Sequence, residues 1–127
     1  MATQLLLDSH IFLWWLNDEQ ELSGLLRDAI VEPANRVHVS AASLWELEIK
    51  IASGKLTSAE PLSDHVEADG FVALPVTIRH AVRAAHLPPI HADPFDRMLI
   101  AQAQVEGLTL VTVDRRFRLY DVPLMGL

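Results

Sequence analysis

Asp93-Pro94-Phe95-Asp96-Arg97-Met98-Leu99-Ile100-Ala101-Gln102-Ala103 reads as the opening turns of a helix. Asp93 suits the cap, where a side-chain oxygen takes up free backbone N–H groups, Pro94 suits the first helical position, and Asp96 falls third. Met98, Leu99, Ala101 and Ala103 then supply an apolar stripe, and Gly107 can end the helix. An acid at a helix start favours its dipole by ~0.3–1 kcal/mol, so both aspartates have a structural use. Of the two, Asp93 fits the cap and Asp96 fits a ligand. Two further aspartates give the stretch its interest. Asp114 follows the apolar run Leu108 to Val113, and Asp8 follows Gln4 to Leu7; both runs read as buried strands.

Working outward, strands and helices alternate. Ser9 is placed to cap a helix over His10 to Leu16, which is apolar nearly all round and so must be buried or face a partner. A helix over Ser23 to Glu32 closes at Pro33, and Arg36 to Ser40 reads as a strand. Ala41 to Ser53 is a helix stopped by Gly54, with Leu44, Trp45, Leu47, Ile49 and Ile51 covering most of its surface. Glu46, Lys50 and Ser53 line its one polar strip. A helix over Leu62 to Asp69, a strand over Phe71 to Leu74, a helix over Thr77 to Ala85 and a rigid Leu87-Pro88-Pro89-Ile90 connector follow. Arg118 to Val122 is expected to add a last edge strand. Such alternation implies a parallel sheet covered on both faces. With 127 residues, 50% of them hydrophobic, and no linker or repeat, residues 1–127 make one α/β domain.

Composition removes several functions. The absence of cysteine excludes a disulfide scaffold, a thiolate zinc site and a cysteine nucleophile, and suits a reducing, cytoplasmic setting. The first residues lack the basic region of a signal peptide, and no apolar run approaches the roughly 18 residues of a membrane span. A net charge of −7 argues against a general nucleic-acid coat. It leaves room for an enzyme that gathers carboxylates in one pocket and keeps arginines nearby. Arg115, Arg116 and Arg118 beside Asp114 are such a group, and the guanidinium fork matches phosphate oxygens. There is no Gly-rich phosphate loop and no Gly-x-Ser-x-Gly elbow, and the histidines show no zinc-ligand spacing.

In an open parallel sheet, ligands sit outside the carboxyl ends of the strands. Asp8, Asp96, Asp114 and Glu46 can meet at that edge. Carboxylates so gathered repel one another unless protons or cations neutralise them, and oxygen donors suit Mg²⁺ or Mn²⁺ beside substrate phosphates. Each residue also has a plainer use. Asp8 can simply end a strand and Asp114 begin a turn, while Glu46 can pair with Lys50 or complete a capping box with Ser43. Their joint placement, not any single residue, carries the argument.

Leu5-Leu6-Leu7-Asp8-Ser9-His10, Ser40-Ala41-Ala42-Ser43-Leu44-Trp45-Glu46, Asp93 to Ala103, and Leu110-Val111-Thr112-Val113-Asp114 occur in that order with suitable gaps. The chain thereby resembles the PIN-domain family, and within it the VapC-like toxins of bacterial type II toxin–antitoxin pairs. The resemblance implies a three-layer α/β/α fold with a short central parallel sheet. It also implies a Mg²⁺- or Mn²⁺-dependent endoribonuclease with Asp8, Glu46, Asp96 and Asp114 as its acidic set. Asp8 and Asp96 would be the usual metal contacts, with Thr112 touching phosphate or supporting a ligand. Arg115 and Arg116 are expected to grip RNA or receive an acidic antitoxin segment. A homodimer and a cognate antitoxin are the implied partners. The alternative is a catalytically idle domain that binds RNA or protein through the same fold. A phosphoacceptor receiver domain would want a lysine at a late strand end, whereas the only lysines are Lys50 and Lys55.

Overall fold

Leu5, Leu6 and Leu7 are fully shielded from solvent, and they face alternately: Leu5 and Leu7 enter one core and Leu6 the other. Residues buried on both faces mark the middle of a parallel sheet. A computed structural model, which describes residues 2–127, places this strand, β1 (Gln4–Leu7), at the sheet's centre. On one side of β1 lie β2 (Arg36–Ser40) and then β3 (Val72–Leu74); on the other lie β4 (Thr109–Val111) and then β5 (Leu124–Met125). All neighbours pair in parallel.

Helices cover both faces, so the fold is a three-layer α/β/α sandwich. The first core joins β1, β2 and Val111 to α1 (Ser9–Leu16), α2 (Gly24–Val31), α3 (Ala41–Ala52) and α4 (Leu62–Ala68), through Phe12, Ile30, Leu47 and Val66. The second joins Leu6 and Leu110 to α5 (Ile78–Ala85) and α6 (Pro94–Glu106), chiefly through Leu99, Ile100 and Ala103. Each fully buried leucine or isoleucine contributes ~1.5–3 kcal/mol. The chain builds outward from β1 to β3, then returns to β4 beside β1. The strand order therefore reverses between β1 and β4, and a crevice opens there at their carboxyl ends.

Three local expectations are corrected. Ser9 does not cap α1: Asp8 occupies the cap position without a side-chain cap bond, and the Ser9 hydroxyl is drawn to Glu46 instead. The capping box of Ser43 with Glu46 is not formed, because α3 begins three residues earlier, capped by Ser40 through the Ala42 N–H. The edge strand is not Arg118 to Val122. Asp114 accepts from the Arg116 N–H and starts a 3-10 turn over Arg115–Leu119, which drops Phe117 into the second core. Pairing with β4 resumes only at Pro123, whose carbonyl accepts from the Leu110 N–H. Gly126 follows at φ 111°, so close to the Thr112 carbonyl that a β-carbon would collide with it.

Candidate active site

The crevice between β1 and β4 begins with Asp8, which leaves β1 only 3% exposed. Thr112 Oγ1, just past β4, donates to Asp8 Oδ2 at 2.8 Å and accepts the Asp114 N–H at 3.0 Å. Both functions of that hydroxyl are engaged and Thr112 is 0% exposed, so it orients Asp8 and offers no surface to a substrate. Ser9 Oγ donates to Glu46 Oε1 at 2.8 Å, with Asp8 Oδ1 3.4 Å away. One hydroxyl thus links the start of α1 to the carboxylate of α3. Lys50 Nζ stands 4.0 Å from the other Glu46 oxygen, at the limit of an ion pair.

On the other wall, the Asp93 carboxylate accepts from the Phe95 and Asp96 N–H groups, as a helix cap should. Asp96 is thereby fixed on the first turn of α6, where its Oδ2 meets His91 Nε2 at 2.7 Å. Asp114, across the crevice, is held by Arg116 at 2.6 Å.

The carboxylates feel one another. Burial raises the Asp8 carboxyl above its ordinary range and the charge of Asp114 adds to the rise, while the Thr112 hydrogen bond opposes it. Asp96 is pushed up to about 6, first by burial and further by the charges of Asp93 and Asp8, against the hydrogen bond from His91. Asp114 goes the other way, held low mainly by its hydrogen bond to Arg116. Asp8, Asp96 and Asp114 thus share one field, and Glu46 reaches it through Ser9.

A ring nitrogen of His91 and carboxylate oxygens of Asp96 and Asp114 lie within 4.8 Å of one another. Partly buried acids whose charges oppose one another, joined by an imidazole, fit a divalent cation. Asp96 and Asp114 would hold it, while Asp8, tied to Thr112, and Glu46, tied to Ser9, stand outside that set of gathered atoms. Arg115 is exposed, whereas Arg116 is committed to Asp114. Beside the acids a cleft of about 440 Å³ is lined by Glu46, Asp93, Phe95, Lys50 and Lys55. Both lysines of the chain stand there.

Three residues of this wall, His91, Arg97 and Tyr120, lie outside the expected set. His91 has no ligand spacing to another histidine, yet it touches Asp96. What delivers it is Arg97, whose guanidinium donates to the carbonyls of Ala84, Leu87, Pro88 and His91. Tyr120 Oη completes the brace, accepting the His91 N–H at 2.8 Å and donating to the Pro88 carbonyl at 2.9 Å. An arginine directly after Asp96, whose one acid at helical spacing, Asp93, is the cap of the same helix, was the available signal.

Comparison with known proteins bears on the family and the fold. The PIN domain family pattern matches residues 5–123. Ribonuclease VapC22 of Mycobacterium tuberculosis is 36% identical over 129 aligned positions, which cover 95% of each chain. Among solved structures, VapBC2 from Rickettsia felis, bound to a DNA fragment of its promoter, superposes with a TM-score of 0.71 at 16% identity, over 97% of this chain and 98% of that one. FitAcB from Neisseria gonorrhoeae gives a TM-score of 0.68 at 21% identity, over 96% of both chains. Those likenesses are of fold, while the family pattern and VapC22 extend to sequence along nearly the whole length. The chain belongs to the PIN-domain family.

Proposed function

We propose that this protein is a metal-dependent endoribonuclease, the toxin of a bacterial toxin–antitoxin pair. One observation carries the reading. The acids at the β1/β4 crevice share a field that raises two of them, in a chain 36% identical to a named ribonuclease. Mg²⁺ or Mn²⁺, bound there, supplies positive charge that stabilises a phosphodiester under attack and makes the attacking water more acidic. The chain's own residues do the rest. Thr112 fixes the Asp8 carboxylate, Asp93 fixes the helix turn that carries Asp96, and Ser9 holds one oxygen of Glu46 so that the other, beside Lys50, can take a proton from water. Lys50, Lys55 and Arg115 give RNA phosphates a grip confined to the site's margin, as a chain of net charge −7 requires.

Two partners follow. Solved relatives of this fold are VapBC complexes, which supports an antitoxin partner here. A second copy is proposed for the apolar groove between α3 and α6, where Trp45 stands beside Phe95, Met98 and Val76. No helix among the described residues is long and apolar enough to cross a membrane.

The test is RNA cleavage by purified protein. Cleavage should stop in a chelator and return with Mg²⁺ or Mn²⁺, and Asp96→Asn should lower turnover at least ~100-fold while leaving the fold intact. Activity indifferent to chelation would rule out the metal-dependent mechanism. RNA binding without cleavage under any added ion would favour the idle binding module.

A further inference from the structure

We propose that His91 supplies a nitrogen donor to the divalent ion of this site, so that the site prefers a first-row transition ion such as Mn²⁺ to Mg²⁺. The inference rests on the metal-dependent reading above and adds which donors hold the ion. Among the described residues, His91, Asp96 and Asp114 are the only set of three His, Asp or Glu side chains whose ligand atoms gather within 4.8 Å.

The imidazole is set in place before any ion arrives. His91 is only 8% exposed, and its ring meets Phe117 edge-on at 6.5 Å with an interplanar angle of 89°. Its backbone is fastened at both ends, the N–H to Tyr120 Oη and the carbonyl to Arg97. Little side-chain freedom remains to be lost on ligation. Asp8 is the more encumbered acid, since Thr112 occupies its Oδ2 and Ser9 stands near its Oδ1. Asp114 is engaged by Arg116, but that guanidinium side chain is 61% exposed, and a solvent-exposed pair is cheaply opened.

The donor chemistry then sets the ion. Mg²⁺ takes oxygen ligands and keeps its waters, whereas imidazole nitrogen suits transition ions, whose affinities rise from Mn²⁺ along the first row. An imidazole that only oriented Asp96 through the 2.7 Å hydrogen bond would leave this preference unchanged.

Mn²⁺ alone, without RNA, is the probe. Calorimetry reads its affinity beside that of Mg²⁺, and pulsed electron paramagnetic resonance reads nitrogen coupling to bound Mn²⁺. The expected result is a histidine ¹⁴N coupling in the wild type that is lost in His91→Gln. The ratio of Mn²⁺ to Mg²⁺ affinity should fall about tenfold in the same variant. His10 is exposed and close enough to act on the Asp8 charge, so His10→Gln is the control and should keep the coupling. Should His91→Gln fail to fold, coupling retained in His10→Gln still supports His91. Bound Mn²⁺ with no nitrogen coupling, or coupling lost with His10, overturns the His91 assignment and leaves a carboxylate metal site standing. No Mn²⁺ binding at millimolar concentration overturns the metal-dependent reading and this inference together.

Discussion

Asp96 illustrates how one side chain serves the fold and the site in opposite senses. Its place on the first turn of α6 favours a charged carboxylate, while burial and the neighbouring Asp93 and Asp8 charges favour a proton. The second influence wins, and its carboxyl sits at about 6 against an ordinary 3.8. The folded chain therefore holds this proton more tightly than the unfolded chain does. The stability this proton confers is complete below the ordinary value and is lost as pH rises through about 6. Asparagine at this position is neutral at every pH and escapes that loss. With chelator present, Asp96→Asn should melt higher than wild type at pH 7.5 by on the order of 5 °C, with the gap closing towards pH 4. A gap that stays constant with pH would mean that burial does not raise the Asp96 carboxyl. The four acids were legible as candidates because each stands at a strand end, a helix start or a polar strip. His91 was not, because a contact five residues from Asp96 depends on the path of a connector, and no periodicity encodes a path.

That connector belongs to the next scale. The Leu87 to Ile90 segment looked rigid from its two prolines, but its rigidity is imposed from outside by Arg97 and Tyr120. Hydrogen bonds to a charged donor contribute ~1.5–3 kcal/mol each, and a buried carbonyl left unpaired costs a similar amount. Arg97→Met should therefore cost at least ~2 kcal/mol of stability and speed amide hydrogen exchange over residues 84–92. Lysine should restore little, because its point charge cannot serve carbonyls on both sides as a planar fork does. Unchanged exchange in that segment would remove Arg97 from the role of brace. Among the elements, the strands β1, β2 and β4 and the helices α3 and α6 were readable because apolar period and cap residues agree there. The start of α1 was misread because Ser9 is a good cap in isolation but answers to Glu46, 37 residues away. The last strand was misplaced for a similar reason. Arg118 to Val122 has strand composition, yet Phe117 must enter the second core, and the turn that takes it there leaves β5 to begin at Leu124.

At the scale of the whole molecule, the apolar surface that the helices carry in excess is divided unevenly. Trp14 and Trp15 pack against the chain's own first core, and Trp15 Nε1 donates to Asp69 Oδ2 at 3.1 Å, so the expectation of an interface on α1 weakens. On α3 the surplus is real. Trp45 is 65% exposed, its ring 5.3 Å from Phe95, above a groove of about 470 Å³ that continues along α6. Such a patch on a free monomer is unfavourable, and two copies apposed on it would bury aromatic area of the kind that dominates interface energetics. The groove also borders the site, since Phe95 is adjacent to Asp96. A second copy there would set two crevices on one particle and lengthen the RNA each particle can engage. The wild-type chain should sediment as a dimer at micromolar concentration. Trp45→Glu, which places a charge in the middle of the apposed faces, should shift it to monomer by raising the dimer dissociation constant at least ~100-fold. Its melting should fall only by the stability that dimerisation lends the wild type at that concentration, because an exposed ring contributes little to the fold of one copy. A wild type that is monomeric at micromolar concentration, or a dimer that Trp45→Glu leaves intact, would place the interface elsewhere or nowhere.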